Sequence, residues 1–89
     1  MNSALRLDNT DALAWFALGV FKTLQGDYPG SIEDFTTSIR LKPDDGKTYL
    51  NRALSKLKLK DTPGACDDFH KAQELGNKEA EGYSKQYCK

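Results

Sequence analysis

The residues with the types and spacing for chemistry are few. Cys66 and His70 are four apart, which on a helix puts both on one face, as two zinc ligands or a thiol and its base would require. A zinc site would need Cys88 and an acid as well, and no spacing argues for either. A catalytic thiol would need a third, orienting group and a pocket, and neither is indicated, so Cys66 reads as a packing residue. Asp44-Asp45 and Asp67-Asp68 are adjacent carboxylates of the kind used for acid–base work or calcium, but helix starts attract such anions without any catalysis. Lys56, Lys58, Lys60 and Lys71 form a basic cluster of the kind that meets an acidic peptide or RNA, and the absence of interleaved aromatics argues against RNA. With no nucleophile elbow, phosphate loop or metal cluster in the pattern, the expectation is a protein that is not an enzyme and takes no cofactor or metal.

The elements that carry these residues belong to one small domain, because 89 residues rarely support a second core. Thirteen basic and thirteen acidic side chains give a net charge of zero, which removes the footprint of a nucleic-acid or anionic-membrane binder. The charge is uneven: residues 1–45 carry 4 basic and 7 acidic groups, net −3, and residues 46–89 carry 9 and 6, net +3. The longest apolar stretch, Ala12 to Phe21, is about half a membrane span. No targeting segment opens the chain, and two distant cysteines, too few for a disulfide framework, read first as reduced thiols with a single bridge as the alternative, which suggests a cytoplasmic location.

The sequence repeats with a period of 34. Residues 12–45 laid on 46–79 bring Lys22 onto Lys56, Asp27 onto Asp61, Pro29 onto Pro63, Gly30 onto Gly64, Asp34 onto Asp68, Phe35 onto Phe69 and Leu41 onto Leu75. Similar residues agree too: Trp15 with Tyr49, Gly19 with Ala53, Ser31 with Ala65 and Ser38 with Ala72. Each unit reads as two helices. The first runs from Asp11 to about Gln25; Asp27 then caps a second, with Pro29 in its first turn, to about Leu41 before Pro43. In the second unit Asp45 caps a helix to about Lys60, Asp61 and Pro63 start the next, and Gly76 after Leu75 supplies a left-handed stop. Lys56 to Lys60 alternates as an exposed strand would, but its register partners, Lys22 to Gly26, end a helix. A final helix spans Lys78 to Tyr87.

On these residues the chain resembles the tetratricopeptide repeat family, whose 34-residue helix–turn–helix unit opens with Trp-Xaa-Xaa-Leu-Gly and closes with Pro. Trp15, Leu18, Gly19, Gly26, Tyr28, Phe35 and Pro43 match, as do Tyr49, Ala53, Ala65, Phe69 and Ala72 in the second unit. Ser31 and Ser38 stand where the family usually has Ala. Departures are Lys22 and Lys56 in place of Tyr, Arg52 in place of Leu and Asn77 in place of Pro; the lysines are expected at a helix margin, stems on apolar surface and ammonium groups in water. The resemblance implies an all-α superhelical array of two full repeats, 12–45 and 46–79, with residues 1–10 as the remnant of a preceding repeat and 78–89 as a capping helix.

It also implies a function. In this family the first helix of each repeat lines a concave groove, which assigns that surface to Leu13, Phe16, Ala17, Val20, Thr23, Lys47, Leu50, Asn51, Leu54 and Leu57. Apolar anchors there would hold a peptide or protein segment, with Lys47, Asn51 and Lys58 fixing its register. The alternative is structural assembly, in which the same patch and the oppositely charged halves join copies into a homodimer or bind the rest of the chain's own protein. The family's clamp for a chaperone C-terminal carboxylate is not implied: Asn51 matches it, whereas Phe16, Val20 and Glu81 replace its cationic and amide positions and Lys85 lacks a guanidinium fork.

Overall fold

The computed structural model describes residues 11–88 as five helices: α1 (Ala12–Leu24), α2 (Tyr28–Leu41), α3 (Gly46–Lys58), α4 (Thr62–Glu74) and α5 (Lys78–Tyr87). The repeat is visible in the boundaries, since α1 and α3 start at 12 and 46, and α2 and α4 at 28 and 62, an offset of 34 in both cases. The remnant expected over residues 1–10 lies outside the described residues. Lys56 and Lys58 are helical, so the alternating pattern there is not a strand.

A short polar residue starts every helix. The carboxylates of Asp11, Asp27, Asp45 and Asp61 accept hydrogen bonds from the backbone N–H groups of Ala14, Gly30, Lys47 and Gly64 at 3.0–3.2 Å. Each satisfies a donor that the first helical turn leaves without a partner. Asn77, at the position where proline was the expected residue, caps α5 through Ala80 N–H at 3.1 Å. The turn closing α1 holds Gly26 at φ 81°, and Gly76 at φ 95° closes α4, as its placement after Leu75 suggests.

Helices α1 and α2 pair, as do α3 and α4; α2 then packs on α3, and α4 on α5, giving an all-α repeat array. Phe35 and Phe69, related by the period of 34, are both fully buried between the helices of their own repeats. Opposite Phe35 the backbone of α1 comes so close that a Cβ on Gly19 would stand 2.6 Å from the ring. The main core gathers Leu50, Ala53, Ala65, Phe69, Ala72 and Ala80, with Tyr49, Leu54, Leu57, Tyr83 and Cys88 against it. Small residues at 53, 65, 72 and 80 let the helix axes approach around the Phe69 ring.

Serines in place of alanines bring hydroxyls into these contacts, and each is satisfied. Ser31 Oγ lies 2.8 Å from Ser55 Oγ across the α2–α3 contact and donates to Tyr28 O, while Ser38 Oγ donates to Ala12 O at 2.8 Å. A buried hydroxyl paired in this way avoids the cost of an orphaned polar group.

Candidate functional site

The charged residues that depart from the family pattern reach inward to buried carboxylates. Arg52 donates from Nε and Nη2 to the two oxygens of Asp68, at 2.8 and 2.7 Å, and from Nη1 to Thr36 Oγ1 at 3.1 Å. Its guanidinium also lies over the Tyr49 ring, 5.5 Å from the centroid. Lys56 Nζ completes the cluster 3.1 Å from Asp68 Oδ2. In the first repeat Lys22 Nζ reaches Asp34 Oδ2 at 3.0 Å, an ion pair without hydrogen-bond alignment, and Leu18 stands at the position of Arg52. Hydrogen bonding to Asp68 raises Arg52 above the ordinary guanidinium range, against the burial that lowers it.

Two expectations are corrected here. Lys22 and Lys56 are not simply marginal residues with ammonium groups in water, because each pairs with a buried carboxylate. Asp68 is not a helix-start anion, since α4 is capped by Asp61 and Asp68 lies well beyond the first turn, 5% exposed at its side chain. These carboxylates tie α1 to α2 and α3 to α4 through ion pairs.

Cys66 carries a further correction. It is bonded to Cys88, with Cα atoms 5.7 Å apart, tying α4 to the end of α5. A sulfur held in a disulfide is neither a thiolate ligand nor a nucleophile, and His70 is exposed on the same helix. Of the two states open to these cysteines the bridge is the one formed, and the cytoplasmic assignment loses the support it drew from reduced thiols. Among the described residues no helix is long and apolar enough to cross a membrane.

The residues assigned to the groove separate into different environments. Leu50 is 5% exposed and belongs to the core, because it points between α3 and its neighbours; it is not an available anchor. Leu13 is 73% exposed and, with Phe16, lines a small depression of about 210 Å³ beside Ser38, Lys42 and Asp45. Phe16 is half-buried, its ring 5.8 Å from that of Phe35 and 6.0 Å from Lys47 Nζ. Val20 is half-buried, and Asn51 Nδ2 is engaged in its own helix, donating to Lys47 O at 2.9 Å. Leu54 and Lys58 lie in a larger groove of about 770 Å³, together with Thr23, Tyr28, Leu57, Lys60, Thr62, Tyr83 and Tyr87.

This larger groove is built from both repeats and the capping helix. Leu54 and Leu57 rise from α3, and Tyr83 is fixed in α5 by stacking on Phe69, with centroids 5.3 Å apart. Tyr87 follows one turn later, 6.5 Å from Tyr83 and next to the bonded Cys88. Nothing in the repeat pattern marks Tyr28, Lys60 or Thr62 as wall residues. Tyr83 and Tyr87 belong to the capping helix, which the repeat pattern does not assign to a groove.

The chain is 38% identical over 72 residues to Protein FlbA of Caulobacter vibrioides, a match that covers 81% of this chain and 12% of FlbA. It is 37% identical over 59 residues to Tetratricopeptide repeat protein 36 of Danio rerio, covering 66% of this chain and 32% of that protein. The likeness fits a tetratricopeptide-like helical repeat. No family model matches the chain. Because the chain spans at most about a third of either relative, the likeness concerns the repeat and not the rest of those proteins.

Proposed function

We propose that this repeat unit captures a segment of another protein on the face formed by α1, α3 and α5. The observation that carries this reading is the groove of about 770 Å³ walled by Leu54, Leu57, Tyr83 and Tyr87. Its size and its mix of aliphatic and aromatic walls suit one or two apolar side chains of a bound segment, with hydroxyls and ammonium groups at the rim to orient it. A helical repeat is a rigid support, so the walls are in place before the partner arrives and little ordering cost is incurred on binding. The Cys66–Cys88 bond holds Tyr87 at the groove and favours an oxidising compartment over the cytoplasm.

A second reading, assembly of copies, draws on α1, where Leu13, Phe21 and Leu24 are 73%, 55% and 81% exposed. Apolar residues exposed on the first described helix are natural contacts for another repeat. Light scattering over a wide concentration range, at low and moderate salt, separates the two. Capture of a foreign segment predicts a monomer throughout. A dimer that survives salt and is dispersed by Leu24→Glu would establish assembly through α1 instead.

A further inference from the structure

The turn between α3 and α4 departs from its counterpart in a way that bears on the groove. Both turns make the same backbone bonds: Gly26 N–H to Thr23 O at 3.0 Å and Asp27 N–H to Lys22 O at 2.9 Å in the first repeat, Lys60 N–H to Leu57 O and Asp61 N–H to Lys56 O, each at 2.9 Å, in the second. Both place the residue before the capping aspartate in the left-handed region, Gly26 at φ 81° and Lys60 at φ 67°. Glycine takes this conformation freely, whereas a side chain there meets its own carbonyl. Lys60 is the one positive-φ residue other than glycine among the described residues. Residues held in this region against their preference persist only where the surrounding structure fixes them, and they cluster at ligand sites.

Lys60 lies at the rim of the groove, beside Lys58, whose counterpart in the first repeat is Leu24. Neither ammonium has a carboxylate within 4 Å among the described residues, although Lys56 on the same helix is committed to Asp68. The groove walls contain no acidic residue. Lys58 also suits the negative end of the α3 dipole, but Lys60 sits beyond that end and is explained by neither packing nor pairing.

Building on the reading that this face captures a protein segment, we infer that the segment is an acidic–apolar peptide. An aliphatic or aromatic side chain enters between Leu54, Leu57 and Tyr83, and a neighbouring carboxylate of the peptide pairs with Lys58 and Lys60. The apolar walls supply affinity and the two lysines set polarity and register, since exposed charges contribute more to selectivity than to binding strength.

The test is selection of a phage-displayed library of random dodecapeptides on the 89-residue chain, followed by affinity measurements on synthetic copies of the selected peptides. The expected peptides carry one or two large apolar residues flanked by Asp or Glu. They should bind the K58A/K60G variant about tenfold more weakly, the loss expected of two exposed charge pairs. Lys60→Gly alone should raise the melting temperature by roughly 4 °C while weakening binding, because relief of the left-handed side chain and loss of the charge act in opposite directions. Selected peptides without acidic residues, or equal affinity for the variant, overturn the inference and leave segment capture standing. A library that yields no binder at all removes segment capture, and the acidic–apolar partner with it.

Discussion

Arg52 holds Asp68 through both carboxylate oxygens, at 2.8 and 2.7 Å, across the α3–α4 pair. The arrangement needs a planar donor fork, so Arg52→Lys should cost about 1 kcal/mol and Arg52→Leu about 2–3 kcal/mol, by urea denaturation followed by circular dichroism. The Arg52 pKa is raised in the folded state. A raised base stabilises the fold at every pH below its unfolded value and stops only when pH passes the folded value, which lies beyond the range where lysines titrate. Wild type should therefore keep this contribution above pH ~10.4, where a lysine in its place loses its charge. The stability gap between wild type and Arg52→Lys should widen as pH rises through that region; a constant gap would show that charge is not what Arg52 supplies.

The close approach of α1 to Phe35 leaves no space for a methyl group at Gly19, where a Cβ would lie 2.6 Å from the ring. Gly19→Ala gains in helix propensity but forces the helices apart, with a net destabilisation of about 1–2 kcal/mol. Ala53 holds the same position in the second repeat and is fully buried without such a clash. Thermal melts of Gly19→Ala and Ala53→Gly should thus both fall below wild type, the first through overpacking and the second through a lost methyl and a more flexible backbone. A melting temperature that rises in Gly19→Ala would mean the α1–α2 spacing is looser than described.

The repeat was legible because it is written in residues whose roles are local or steric. Capping aspartates, turn glycines and the Phe35–Phe69 pair recur at 34 and need no knowledge of partners to be read. The buried ion pairs were hidden for a different reason: single lysines look like surface residues until their acids are identified. Their signal was present, since Lys22 and Asp34 are separated by 12 and Lys56 and Asp68 by the same 12, and all four are identities of the repeat. The groove was harder still. Its walls come from all five helices and a turn, and a residue such as Leu50, expected in the groove by its helical face, is taken into the core where α4 packs on α3. The Cys66–Cys88 bond depends on how the last helix folds back, which spacing alone does not determine.

Leu50 and Leu13 provide a direct check on which apolar residues are core. Leu50→Asp puts a charge into a site 5% exposed and should cost 3 kcal/mol or more, ~3 kcal/mol being enough to unfold most of a marginal domain. Leu13→Asp, at a position 73% exposed, should change stability by less than about 0.5 kcal/mol. Circular dichroism of the two variants decides the point: retention of full helicity by Leu50→Asp would return that residue to the groove surface.

The disulfide closes a 22-residue separation that contains most of α4 and all of α5. Restricting the unfolded chain in this way contributes about 3 kcal/mol by the loop-entropy relation. The effect should be local as well as global, because Cys88 ends the helix that carries Tyr83 and Tyr87. Reduction with a dithiol, or Cys88→Ser, should lower the melting temperature by roughly 15 °C and expose the amides of 78–88 to hydrogen exchange before those of α3. Helix α5 meets the array mainly through Ala80, Tyr83 and Ser84, too few buried contacts to keep its last turn in place without the bond. Equal exchange in α3 and α5 after reduction would show that Phe69–Tyr83 stacking suffices to hold the cap. Titration of free thiols on the purified, unreduced chain completes the experiment, with none expected.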